Sequence, residues 1–170
     1  MKKITSYQVQ VAAEAFAAGA LAHAGCNVSV QYASNQPEYD LLAEKDDKIL
    51  KIQVKGSQDG SWGLTQSHIA NRDYHTAVDK WLEKHSKNTV FILVQFKNVE
   101  PGKSPRLYLA TPREIAKRLK DSSKGRGETI LFEYKEWSKA AHGYGSIDKI
   151  PDEWSLSEER LDHFFTEYSV

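Results

Sequence analysis

The sequence has little cysteine, no long apolar run and no net charge. Its single cysteine, Cys26, cannot form a disulfide within the chain, and neither a Cys cluster nor a His-x-x-x-His pair offers a zinc site. These absences exclude a disulfide-stabilised scaffold and a zinc finger.

A membrane protein is also not indicated. No stretch of the sequence reaches the roughly 18 to 20 consecutive apolar residues that a spanning helix needs. The first residues lead into a helix that contains Gln and Glu rather than into the apolar region of a secretory signal. We therefore expect a cytoplasmic protein with no membrane partner.

Charge is distributed unevenly although 23 basic and 23 acidic side chains balance over the 170 residues. Residues 147–170 carry two basic and seven acidic side chains, so residues 1–146 carry 21 basic and 16 acidic ones. A modestly basic body is compatible with a polyanionic partner. The balanced total argues against a purely electrostatic coat for nucleic acid.

The first predicted element is a helix from Ser6 to Ala24. Thr5 and Gln8 have the spacing of a capping box, and Gly25 stands where a left-handed residue would end the helix. Nearly every residue after Val9 is apolar, which predicts a helix buried on all sides. Glu14 interrupts this run, and a buried carboxylate needs an ion pair, hydrogen bonds or a metal.

Three short strands are predicted next, with the spacing of an antiparallel meander: Asn27 to Tyr32, Tyr39 to Glu44, and Lys48 to Gly56. Alternation in the third strand places Leu50, Ile52 and Val54 on one face and Lys51, Gln53 and Lys55 on the other. Asp40 lies on the opposite face of its strand from its neighbours, so suitable pairing would turn it toward Gln53 and Lys55.

Helices and strands continue to alternate in the rest of the chain, which predicts an α/β fold. The predicted elements are a helix at Tyr74–His85, a buried strand at Thr89–Phe96, a strand at Arg106–Ala110, a helix beginning at Thr111-Pro112 and ending near Lys120, a strand at Glu128–Tyr134, and an amphipathic helix that begins at residues 155–158 and carries Leu161, Phe164, Phe165 and Tyr168.

The order of these elements, with Glu14 on the first helix, Pro37-Glu38-Tyr39-Asp40, twelve intervening residues and then Gln53-Val54-Lys55, resembles the PD-(D/E)xK nuclease superfamily. That superfamily includes restriction endonucleases, Holliday junction resolvases and some homing endonucleases. The resemblance covers roughly residues 5–110. It implies a restriction-endonuclease-like core, with a central mixed β-sheet flanked by helices in the order α-β-β-β-α-β.

The resemblance also suggests a domain organisation. We expect the nuclease-like core to occupy residues 1–134. Residues 135–170 would then form an addition whose acidic amphipathic helix packs on the core or joins subunits.

The motif residues have the chemistry that phosphodiester hydrolysis requires. Asp40, the Gln53 side-chain oxygen, the Val54 carbonyl and Glu14 are oxygen donors suited to Mg²⁺, for which Mn²⁺ can substitute. Lys55 would orient the attacking water or stabilise the charge that develops on the phosphoryl group. Gln53 departs from the commonest family pattern, which has Asp or Glu there, and so removes one negative charge.

Each of these residues also has a structural interpretation. Asp40 can end a turn, and Gln53 and Lys55 can belong to the solvated face of an edge strand. Glu14 can pair with a lysine or face water.

Further residues are predicted to contact nucleic acid. Near the motif these are Lys51, Ser57, Gln58 and Trp62, although an aromatic side chain in a loop is also commonly a hydrophobic plug. A basic cluster follows, in which a solvated helix face is the alternative: Arg113, Lys117, Arg118, Lys120, Lys124 and Arg126.

The sequence therefore predicts a Mg²⁺-dependent endonuclease that acts on DNA, with catalytic residues Glu14, Asp40, Gln53 and Lys55. Cutting both strands of a duplex would most simply use a homo-oligomer with two such sites. Because Gln53 replaces an acid, the alternative is an inactive nuclease-fold module that binds nucleic acid or a protein partner, as an inhibitor or immunity protein does.

Overall fold

A computed structural model describes residues 3–31 and 39–170. Within these residues the chain forms four α-helices: α1 (Ser6–His23), α2 (Tyr74–Glu83), α3 (Pro112–Asp121) and α4 (Glu158–Tyr168). It also forms nine strands: β1 (Asn27–Val30), β2 (Leu41–Lys45), β3 (Lys48–Ser57), β4 (Ser61–Gly63), β5 (Thr89–Gln95), β6 (Arg106–Ala110), β7 (Ile130–Phe132), β8 (Tyr134–Glu136) and β9 (Ile147–Lys149). Two short 3₁₀ helices lie at Gln66–His68 and Asp152–Trp154.

The described residues divide into two compact units, each built from separate stretches of sequence. The first unit contains residues up to Asp59, then Ser86–Thr111 and Asp152–Val170. The second contains Gly60–His85 and Pro112–Pro151. None of the boundaries between these units lies at residue 134, where the sequence suggests a domain boundary.

A five-stranded mixed sheet in the order β1-β2-β3-β5-β6 forms the centre of the first unit. The predicted meander of β1, β2 and β3 is confirmed, because both pairings are antiparallel. β3 is parallel to β5, and β5 is antiparallel to β6. β3 lies between β2 and β5, but its pairing with β2 ends at Ile52, so Gln53 and Lys55 pair with β5 alone.

Helices α1 and α4 both contribute to the hydrophobic core of the first unit. α1 buries one residue per turn, and these residues are Val9, Ala13, Ala17 and Leu21. α4 buries Leu161, Phe164 and Phe165 in the same cluster as the apolar side chains of β3. The apolar face of α4 is therefore covered within the chain.

The prediction that α1 is buried on all sides is wrong. Tyr7 is 78% exposed and Val11 is 48% exposed, so the buried surface of the helix is a narrow stripe. The apolar composition of α1 comes mostly from alanine, which favours helix formation wherever the side chain lies. The apolar composition of α1 therefore reflects the helix propensity of alanine and does not indicate that the helix is buried.

The predicted ends of α1 are confirmed. Thr5 Oγ1 accepts a hydrogen bond from the Gln8 backbone N–H, and Gln8 Oε1 accepts one from the Thr5 N–H at 2.9 Å. Gly25 follows the helix with a φ of +88°, a conformation that glycine adopts without steric cost.

Gly56 on β3 allows α1 to approach the sheet closely. A Cβ atom at this position would lie 2.8 Å from Ala13 Cβ, 2.9 Å from Val9 Cγ1 and 3.0 Å from the Val9 carbonyl oxygen. We expect Gly56→Ala to destabilise the protein by about 1–3 kcal/mol, because the added methyl group overpacks this contact. Urea denaturation followed by circular dichroism would measure the loss.

Gly19→Ala provides the matched control on α1. No atom lies within 4 Å of a Cβ placed at Gly19, so the substitution should stabilise the helix by about 0.5–1 kcal/mol. Equal effects of the two substitutions would contradict the close contact at Gly56.

The second unit contains α2, α3, the β4–β7 pair and the β8–β9 pair. The strand predicted at Glu128–Tyr134 is divided between β7 and β8. The buried Asp148 on β9 organises this unit. Its Oδ1 accepts a hydrogen bond from Arg118 at 2.6 Å, and its Oδ2 accepts bonds from the Ser123 N–H at 3.0 Å and Trp137 Nε1 at 2.7 Å.

In residues 3–31 and 39–170, no helix is long and apolar enough to cross a bilayer.

Candidate active site

The candidate site begins with the alternation of β3 in the first unit. Leu50, Ile52 and Val54 are fully buried, whereas Lys51, Gln53 and Lys55 are partly exposed, as the period of two predicts. Gln53 and Lys55 are therefore neighbours on one face, about 6.6 Å apart along the strand.

Asp40 lies directly before β2 and is fixed to β3 by two hydrogen bonds. Its backbone N–H donates to the Ile52 carbonyl at 2.8 Å. Its carboxylate Oδ2 accepts from the Val54 N–H at 2.7 Å. The paired register of the two strands ends one residue after Asp40, at Leu41 and Ile52. The fold thus brings Asp40 next to the Gln53-Val54-Lys55 segment.

Glu14 reaches the same segment from α1 through a third residue. Gln10 Nε2 donates a hydrogen bond to Glu14 Oε1 at 2.8 Å and another to the Val54 carbonyl oxygen at 3.1 Å. Glu14 is partly buried and accepts this bond, so its carboxylate is not fully exposed to water. Both backbone groups of Val54 are therefore hydrogen-bonded. Its N–H donates to the Asp40 carboxylate, and its carbonyl oxygen accepts from the Gln10 side chain.

Gln10 is the residue of this site that the sequence analysis missed. Its spacing from Glu14 was the available signal, because residues four apart are neighbours on one helix face and Gln–carboxylate pairs form at that spacing. The contact with Val54 had no signal in the sequence, since it depends on how α1 crosses the sheet.

The donor set suits a hard divalent cation. Asp40 and Glu14 provide carboxylates, Gln53 provides an amide oxygen and Val54 a backbone carbonyl, which are the ligand types that Mg²⁺ accepts together with water. Among the described residues, no cluster of three or more His, Cys, Asp and Glu side chains is arranged to hold a metal. A cation held by all four groups would have two charged and two neutral oxygen ligands.

The residues at the end of β3 and beyond it that were predicted to contact nucleic acid are buried or make hydrogen bonds within the protein. Ser57 is buried, and its Oγ donates to Asp59 Oδ1 at 3.0 Å. The Gln58 amide bonds both backbone groups of Ile4, at 2.7 Å and 3.2 Å. Trp62, in the second unit, is only 3% exposed, which favours the plug interpretation. Lys51 remains partly exposed on β3, with its Nζ 5.9 Å from the Tyr39 ring centroid.

The basic cluster lies in the second unit, where acidic partners engage much of it. Four of its members form ion pairs: Lys117 with Asp121, Arg118 with Asp148, Lys120 with Asp79, and Arg126 with Glu128. Arg126 also stacks 4.9 Å from the Tyr74 ring centroid. Arg113 and Lys124 are exposed. Arg118 therefore has a structural role in the second unit, whereas the Lys117 side chain, although paired, is 80% exposed.

Two residues of the motif, Pro37 and Glu38, lie outside the described residues, as do positions 32–36 of the predicted first strand and loop. Comparison of the chain with protein-family models, with curated proteins and with solved structures found no significant match.

Proposed function

We propose that this chain is a Mg²⁺-dependent endonuclease that hydrolyses phosphodiester bonds in DNA, with a restriction-endonuclease-like core in its first unit. The supporting observation is the hydrogen-bonded series Glu14, Gln10, Val54 and Asp40, which joins α1, the β3 backbone and the residue before β2. The motif residues are far apart in sequence, and their convergence supports a common site.

In this proposal the cation would be held by the carboxylates of Asp40 and Glu14, the Gln53 side-chain oxygen and the Val54 carbonyl. When bound, Mg²⁺ supplies Lewis-acid stabilisation of phosphoryl charge and a more acidic water. The protein's contribution is orientation. The Val54 N–H holds Oδ2 of Asp40 at 2.7 Å, which fixes the direction of the other carboxylate oxygen.

Lys55 contributes a positive charge on the same strand face as Gln53. Its ammonium would hydrogen-bond the attacking water or a phosphoryl oxygen and so stabilise negative charge that develops in the transition state. Pairing with β5 restricts the backbone beneath Lys55, because Lys55 pairs in register with Leu93. A group held on a rigid element supports catalysis better than one on a mobile loop.

DNA is the substrate class that we propose, and a homo-oligomer is the simplest form that would cut both strands. Residues 1–146 carry 21 basic and 16 acidic side chains, which is a modest electrostatic preference for a polyanion. Two identical sites related by symmetry would face the two antiparallel strands of a duplex.

Metal-dependent cleavage is the direct test. The purified chain should nick or linearise supercoiled plasmid, or cut a synthetic four-way DNA junction, in Mg²⁺ or Mn²⁺. EDTA should abolish cleavage and added Mg²⁺ should restore it, because the proposed reaction depends on the bound cation for Lewis-acid stabilisation and for an acidic water. Direct linearisation without a nicked intermediate would support paired sites in an oligomer.

The result that would contradict the proposal is binding of DNA or of a protein partner without cleavage of any substrate, together with no heat of Mg²⁺ binding. That result would favour the alternative of an inactive nuclease-fold module. Gln53 is the feature that motivates this alternative, since it lowers the negative charge of the donor set.

A further inference from the structure

We infer that Gln10 is a positioning residue of the proposed metal site. Its side chain would orient the Glu14 carboxylate and the Val54 carbonyl so that both could bind the cation. The inference rests on the proposed metal-dependent function. It assigns a role to a residue that lies outside the PD-(D/E)xK motif.

The chemistry of the amide fixes the direction of both contacts. Glu14 Oε1 and the Val54 carbonyl oxygen are acceptors, so only the NH₂ end of the Gln10 amide can face them. An amide nitrogen carries two N–H donors, and the two bonds use both of them. One side chain thus ties a helix carboxylate to a strand carbonyl.

The two bonds leave oxygen lone pairs available for a cation. An ionised carboxylate has about four acceptor positions and a backbone carbonyl has two, and Gln10 takes one of each. Glu14 Oε2 and the second lone pair of the Val54 carbonyl remain on the same two groups. A bound cation and the Gln10 contacts are therefore compatible.

Glutamine suits position 10 because its side chain donates hydrogen bonds without carrying a charge. A lysine would also donate to both oxygens, but its charge would repel a divalent cation nearby. A glutamine orients the ligands without that repulsion. Outer partners of metal ligands commonly change metal affinity by about 10–100-fold when they are removed.

Calorimetric titration of the full-length chain with MgCl₂ and MnCl₂ tests the inference. We expect Gln10→Met to weaken binding by about 10–100-fold, because methionine has similar length and helix propensity but no donor. Gln10→Ala should weaken binding similarly. Tyr7→Ala, at an exposed position of α1, is the matched control and should bind as the wild type does. Circular dichroism melting of each variant would verify that the helix is retained.

The outcomes separate this inference from the proposed function. If the wild type binds the metal and Gln10→Met binds equally or more tightly, the positioning role is overturned while the proposed metal site stands. If the wild type shows no metal binding at millimolar concentration, the proposed function fails, and the role of Gln10 fails with it.

Discussion

Lys55→Met is expected to reduce the rate of DNA cleavage by at least about 100-fold without weakening Mg²⁺ binding. Removal of one group that stabilises transition-state charge typically costs about 100- to 1000-fold in rate. Methionine preserves the unbranched apolar part of the side chain, so packing on β3 should change little. Lys55 is not one of the proposed ligands, and loss of a positive charge near the cation would not reduce its affinity.

Single-turnover cleavage of plasmid and calorimetric titration with Mg²⁺ would measure the two quantities separately. Lys48→Met is the matched control, because Lys48 is an exposed residue at the start of the same strand and lies outside the proposed site. Cleavage by Lys55→Met at the wild-type rate would remove Lys55 from the mechanism. Loss of metal binding in this variant would instead show that Lys55 supports the fold of the site.

Asp148→Ala is expected to lower the free energy of unfolding by about 3–5 kcal/mol. Removal of one member of a buried ion pair leaves the other charge uncompensated, and that cost dominates. The Asp148 side chain is 7% exposed and that of Arg118 is 22% exposed. The substitution also removes the acceptor for Ser123 and Trp137. Urea denaturation followed by tryptophan fluorescence would report the loss, since Trp137 belongs to the network.

Asp162→Ala is the matched control, because Asp162 pairs with Lys45 at 2.8 Å while 56% exposed. Exposed ion pairs contribute about 0–1 kcal/mol, so this variant should remain close to the wild type. If both aspartate variants lose the same stability, the Asp148 network does not have the role described above.

Local sequence patterns predicted most of the first unit because their causes are local. Alternation on β3 and the capping box of α1 require only neighbouring residues, and the structure contains both. The burial of α1 could not be predicted in the same way. An alanine-rich helix has favourable propensity on every face, and only the sheet determines which face it covers.

The candidate site was predictable in part for the same reason. The motif predicted that suitable pairing would bring Asp40 toward this part of β3, and the structure joins Asp40 to Val54 by a hydrogen bond. Two ion pairs of the basic cluster were not predictable, because Asp79 and Asp148 are distant in sequence from Lys120 and Arg118.

The placement of α1 and α4 in one core has a consequence for synthesis on the ribosome. The chain emerges from its N-terminus, so the strands that these helices cover are made long before α4 is available. Until Leu161, Phe164 and Phe165 have emerged, part of the apolar face of the sheet must remain open to water or to a chaperone. Contacts between such distant segments also slow folding, because a long loop must close before they form. A ribosome stalled before residue 158 would therefore present an aggregation-prone nascent chain.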